Sequence, residues 1–216
     1  MNKIRINTLF AELKYKNTVI LKYTIEYPEI IISKYRLGKE TFNKFNKNKA
    51  LELEKYCKEE LYKEAKELYE YNVANGYPIM VYELVLKYQI TYNNKYLLSL
   101  YSDEYQYTGG AHGITIRKSQ NWNLSMAKQI PLQYFFPNNE YYVLDILKEI
   151  NKQIEEQIQN GENQYFDNYC QLVIQNLDLD NYYINPNSIT IFFQEYDIAP
   201  YSSGIPTFNI AFKNDK

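Results

Sequence analysis

Three of the chain's seven glycines and its only histidine fall within seven positions, Tyr107-Thr-Gly-Gly-Ala-His-Gly113. Glycines this dense place the backbone at positive φ, or press it against a neighbour that leaves no room for a Cβ. About ninety positions later, Gln194-Glu-Tyr-Asp-Ile-Ala-Pro-Tyr-Ser-Ser-Gly-Ile-Pro206 follows an apolar strand expected over Ile189 to Phe193. Its two prolines and one glycine between 200 and 206 predict an extended, turned loop of fixed shape. A fold for this chain must accommodate both segments, in this order.

Around them the periodicities are simple. Residues 3–15 and 18–33 alternate as strands with a break at Lys16 and Asn17, and Pro28 predicts an edge or a bulge. A helix is expected from about Phe42 to Val73, with Phe42, Phe45, Ala50, Leu53, Cys57, Leu61, Ala65 and Leu68 inward. Thr41 would cap it and Asn75-Gly76 would stop it. The pairs Glu54–Lys58 and Glu59–Lys63 would lie on its wet face.

Strands over 79–92 and 95–107 would form a hairpin at Asn93-Asn94, and the glycine loop would lead into a strand over 113–124. A second helix is expected over 140–159 with Leu144, Leu147, Ile150, Ile154 and Ile158 inward, ended by Asn160-Gly161. A short helix over 164–175, a hairpin of 182–184 with 189–195, and a last strand over 207–212 complete the reading. Antiparallel strands with helices on one face make an α+β fold, and no βαβ alternation is read. Two related or intertwined halves, 1–110 and 111–216, are expected.

The two glycine- and proline-rich segments together resemble the extracellular domain of RsiV-type lysozyme-sensing anti-sigma factors. The 194–206 segment, with Gln-Glu-Tyr-x-Ile-Ala-Pro-Tyr-x-x-Gly-x-Pro, is the more specific of the two. The same tandem is found in bacterial envelope proteins of unknown function, and its first half accompanies some peptidoglycan deacetylases. The resemblance implies an α+β fold and a non-catalytic envelope module. It also implies capture of a basic protein such as lysozyme through Pro200, Tyr201, Ser202, Ser203, Gly204 and Ile205, with Gly109, Gly110 and His112 beside them. Relatives usually carry a secretion signal or a membrane helix. Here the basic start Met-Asn-Lys-Ile-Arg has no apolar stretch behind it, so the expected location is extracytoplasmic for a trimmed ectodomain and cytoplasmic for a complete chain. No run reaches the roughly 18 apolar residues of a membrane span.

Composition narrows the partner. Residues 1–110 carry 17 basic and 14 acidic side chains, and 111–216 carry 7 and 12, giving charges of +3 and −5. An acidic second half suits a basic protein and disfavours nucleic acid. Tyr (25 residues) and Lys (21 of the 24 basic residues) are abundant, as an AT-rich genome would make them.

Catalytic readings are thinner. Glu195 and Asp197, on one side of a strand, would stand ~6–7 Å apart, a glycosidase-like separation. With His112 they define the alternative of a cell-wall glycan hydrolase or deacetylase, and a structural envelope domain is a third reading. His112 has neither a nucleophile motif nor partners for zinc, so a carbonyl-bonded structural imidazole is expected. Asp178-Leu-Asp180-Asn181 fails as a calcium loop, because Tyr183 replaces the glycine and Ile189 the bidentate Glu. Gly109-Gly110 has no phosphate-loop spacing. No metal or cofactor is expected. Cys57 and Cys170 read as buried free thiols, with a disulfide as the alternative.

Overall fold

A computed structural model describes residues 1–162 and 164–212. The α+β expectation holds: among the described residues a sheet of order β1-β2-β3-β4-β5-β6 and a second of order β7-β8-β9 are accompanied by four α-helices. The chain divides into two compact units. One holds Met1–Gln89, Ser102–Ile116 and Leu124–Ala127, and the other Ile90–Tyr101, Arg117–Asn123 and Lys128–Lys216.

In the first unit, β1 (Lys3–Tyr15) and β2 (Thr18–Ile32) form a long hairpin paired from Tyr15↔Thr18 to Lys3↔Ile32, with register shifts between Leu13 and Lys14 and between Lys3 and Ile4. Its turn is the expected Lys16 and Asn17, both left-handed at φ 46° and 65°. That conformation matches the twist of the flanking strands in a two-residue hairpin. Pro28 lies opposite Ile6, beyond the Leu21–Ile25 stretch of β2 that pairs with β3. Its missing N–H therefore falls where β2 is paired on one side, as an edge-tolerant proline requires.

The long helix starts earlier than expected. It runs as α1 (Arg36–Tyr56), a π-turn (Cys57–Leu61) and α2 (Tyr62–Asn75), closing on Gly76. Thr41 is no cap: it lies inside α1, its hydroxyl donating to Leu37 O at 3.0 Å. The exposed Arg36–Glu40 pair at 2.9 Å spans the first turn. The extra residue of the π-turn resets the helical phase, so that Cys57, Leu61 and Ala65 all face inward. It also changes the charge pairs. Lys58 meets Glu54 at 2.9 Å as expected, whereas Glu59 pairs back to Lys55 at 3.8 Å. Phe42 and Ala50 are buried, while Phe45, Leu53 and Leu68 are half-buried.

β3 (Tyr82–Asn94) then pairs with β2 in parallel, from Leu21↔Tyr82 to Ile25↔Leu86. This corrects the reading of wholly antiparallel strands without a βαβ unit. A forty-residue helical connection returns the chain to the end of β2 from which it can run parallel, the usual way such pairs are joined. The first core is Ile20, Leu21, Tyr23, Ile25, Leu84 and Leu86 against Ala50, Cys57, Leu61 and Ala65.

β3 continues through a turn into β4 (Leu97–Tyr107). The turn is at Lys95 and Tyr96 rather than Asn93-Asn94, which remain in β3; Lys95 takes the left-handed conformation at φ 52°. After the glycine loop comes β5 (Ile114–Asn123), followed by the two-residue β6 (Lys128–Gln129).

In the second unit, α3 (Tyr142–Asn160) buries Ile146, Ile150 and Ile154, an unbroken i,i+4 ridge. Leu147 is half-buried, but Leu144 and Ile158, expected inward, are 52% and 45% exposed. Leu144 is two residues from Ile146 and so lies about 200° around the helix from the ridge. α4 (Tyr169–Asn176) begins five residues later than read. β7 (Tyr182–Ile184), β8 (Ser188–Phe192) and β9 (Thr207–Ala211) are antiparallel. The second core joins the α3 ridge to Val173, Ile189, Ile191, Phe193, Ile198 and Phe208. Among the described residues no helix is long and apolar enough to cross a membrane.

Candidate functional site

The proline segment is anchored along most of its length within the second unit. Gln194 opens it by treating β5 as a strand partner: its Oε1 accepts the Arg117 N–H at 2.9 Å and its Nε2 donates to Arg117 O at 2.8 Å. Residues 195–197 form a turn instead of continuing β8, with the Gln194 N–H held by Asp197 Oδ2 at 2.7 Å. Ile198 and Ala199 are buried in the core. The Ile198 carbonyl accepts the Phe166 N–H at 3.1 Å, and Pro206 O accepts the Phe193 N–H at 3.0 Å. Most of the motif therefore reads as scaffold.

Between these anchors Tyr201–Ser203 make one 3-10 turn after Pro200. Ser203 donates its hydroxyl to Gln164 O at 2.8 Å. Of Pro200, Tyr201, Ser202, Ser203, Gly204 and Ile205, only Ser202 is exposed and the rest are half-buried. The sequence reading missed Tyr196. Its backbone is left-handed at φ 69°, its side chain is 49% exposed, and its ring stacks on Tyr201 at 5.9 Å. A tyrosine in that conformation costs about 1 kcal/mol or more and persists only where its surroundings impose it. No sequence signal separates it from the other tyrosines.

The carboxylate pair does not form the expected strand geometry, because the turn removes Glu195 and Asp197 from any strand. Burial raises the Asp197 carboxyl above its ordinary value, partly offset by the Gln194 N–H. The folded state then holds this proton more tightly than the unfolded chain. Its stabilising contribution is complete below the ordinary carboxylate pKa and is lost as pH rises through the raised value. Asp197→Asn keeps an oxygen for the Gln194 N–H. It is expected to leave stability at pH 7 unchanged or raised by up to about 0.5 kcal/mol, and to flatten the acid side of the urea-midpoint profile.

The glycine segment and His112 belong to the first unit. Gly109 and Gly110 take φ of 96° and 97°, a region closed to side-chain-bearing residues, so this loop needs both glycines. Tyr107 donates its hydroxyl across the loop to Gly110 O at 3.1 Å. His112 is exposed, with Nδ1 3.0 Å from Gly113 O, the carbonyl-bonded arrangement expected of it. Cys57 and Cys170 are both free. Cys57 is buried, its thiol pushed up to about 12 chiefly by burial and then by Glu104 and Glu54. Cys170 is exposed, contrary to the buried reading, because it lies on the outer side of the short α4. Among the described residues no three His, Cys, Asp or Glu side chains cluster as metal ligands would.

Two family models match consecutive parts of the chain. Residues 14–115 match PdaC, described as deacetylase PdaC, and residues 135–213 match DUF3298, a protein family of unknown function. The chain is similar to a tandem domain of unknown function. The architecture agrees with crystal structures of two DUF3298 family members. The one from Bacteroides fragilis has a TM-score of 0.70 at 17% identity, and the one from Pseudomonas aeruginosa PAO1 has 0.61 at 16%. Each comparison covers 98% of this chain and 92% of the other, at identities that speak for the fold alone. No curated protein matches the chain.

Proposed function

We propose that the chain is a non-catalytic binding module of the bacterial cell envelope, working outside the cytoplasm. It captures a basic protein of the lysozyme type through Tyr196, Tyr201 and Ser202. The observation carrying this reading is Tyr196, half exposed at the cost of backbone strain and stacked on Tyr201. Strain held by fixed surroundings is how recognition loops are pre-shaped, and tyrosine offers large contact area at small entropic cost. The −5 charge of residues 111–216 suits a basic partner. Hydrolysis by Glu195, Asp197 and His112 has less behind it: Asp197 caps a turn, and that turn takes Glu195 off the strand on which the pair was expected.

The test is calorimetric titration with chicken-type lysozyme at low and physiological salt, for the wild type and Tyr196→Gly. Glycine relieves the positive φ while deleting the ring, so the variant is expected to fold at least as stably. It should bind at least about tenfold more weakly, the scale of an interface hot spot. Absence of heat in both salts removes lysozyme as the partner, and unchanged affinity of the variant removes this loop as the site.

A further inference from the structure

The outer edge of the three-stranded sheet lies in the same unit, on residues other than 196–205. β9 is an edge strand. The bonds Phe193 N to Pro206 O and Phe212 N to Asn187 O turn its even-numbered residues toward β8, so Thr207, Asn209 and Ala211 point their N–H and C=O outward. Asn209 is already covered. The Gln153 carboxamide donates to Asn209 O at 2.8 Å and accepts the Asn209 N–H at 3.2 Å, standing in for a paired strand.

Two residues on, Ala211 is exposed, and no hydrogen bond engages its outward groups among the described residues. Ala211, Phe136 and Asp145 line two abutting cavities of about 490 and 380 Å3 along this edge. The floor is apolar through Phe136, Ile146 and Ile210. The charges at the rim are not equivalent. Asp145 accepts the Asn139 amide at 2.9 Å and Glu149 accepts the Gln153 amide at 2.8 Å. Lys148 is exposed, with no ion-pair or hydrogen-bond partner among the described residues.

The geometry points to a strand-addition site: an extended peptide pairs with the outward N–H and C=O of Ala211. It presses an apolar side chain onto half-buried Phe136 and offers a carboxylate to Lys148. Main-chain bonds along an edge supply affinity in this mode, and pockets for alternate side chains supply selectivity. Gln153 marks where the added strand must stop. The carboxylate requirement follows from Lys148, since the other lysine at the rim, Lys152, pairs with Glu156 and Lys148 has no such partner among the described residues, in a half of the chain that is otherwise acidic.

The test is an NMR titration of the isotope-labelled whole chain with the probe peptide acetyl-Val-Thr-Val-Glu-Val-amide. Amide shifts are expected at Ile210, Ala211 and Lys148. Ala211→Pro removes the outward donor without touching the β8 ladder and is expected to weaken binding at least about tenfold. Lys148→Glu, on an exposed helix face, should weaken it several-fold and decides the matter should Ala211→Pro lower the urea midpoint. A peptide with Gln for Glu should bind the wild type less tightly. Three results overturn the site: no shifts at this edge, affinity indifferent to both variants, or concentration-dependent pairing of two copies that occupies the same edge. None of them bears on lysozyme binding by the 196–205 loop.

Discussion

Asn121→Ala is expected to destabilise the second unit by about 3 kcal/mol, with a clear drop in the urea midpoint followed by Trp122 fluorescence. Asn121 is 4% exposed on β5. Its Nδ2 donates to Tyr182 O at 2.7 Å, and its Oδ1 accepts the Ser99 hydroxyl at 2.7 Å. Ser99, fully buried, also accepts the Ile184 N–H at 2.8 Å. One carboxamide thus satisfies a β7 carbonyl and a β4 hydroxyl at once. Truncation leaves both without it, and each buried orphan costs about 1–3 kcal/mol. Trp122, the only tryptophan and 3% exposed, adjoins the network and reports on this unit. The double variant Ser99→Ala/Asn121→Ala should lose less than the sum of the single losses, since its orphans coincide. A loss below about 1 kcal/mol would mean that a water replaces the amide.

Gly38→Ala should cost the first unit about 3 kcal/mol or more, against what helix propensity alone predicts. Within a helix, alanine is favoured over glycine by about 1 kcal/mol. At this position in α1 an added Cβ would stand 2.0 Å from Leu124 O and 2.7 Å from Leu124 C and Cα. These are backbone atoms of a buried residue with no rotamer to retreat into, so α1 or the 124–127 turn must move by more than 1 Å. The measurement is thermal unfolding by circular dichroism, with hydrogen exchange of the 36–56 amides to localise the loss. Gly76→Ala is the control: its Cβ meets nothing within 4 Å, so it should show only the cost of a left-handed alanine. A Gly38→Ala protein as stable as the wild type would show that α1 slides freely on Leu124.

Features set by neighbours in the chain were legible. The alternation of 3–15 and 18–32 about Lys16 and Asn17 is local chemistry, as are the left-handed stops at Gly76 and Gly161. Features set by what packs against a residue were not. Thr41 looked like a cap, whereas α1 already begins at Arg36, where Gly38 packs closely against the Leu124 backbone. Leu144 and Ile158 looked inward until the ridge of Ile146, Ile150 and Ile154 had a core to face. The carboxylate pair was lost because Gln194 bonds to Arg117 and turns the chain before Glu195. Tyr196 was one tyrosine among 25 until its φ and exposure set it apart.

By itself, then, the sequence determined an α+β chain with two glycine- and proline-fixed loops, because periodicity and backbone freedom are properties of short segments. Only the tertiary structure decided that β2 and β3 run parallel, that most of the proline motif is anchored scaffold, and that Tyr196 and the β9 edge face outward. Those outcomes depend on which distant backbone groups find partners, and a burial or hydrogen-bond partner many positions away leaves no periodic mark on the residues it fixes.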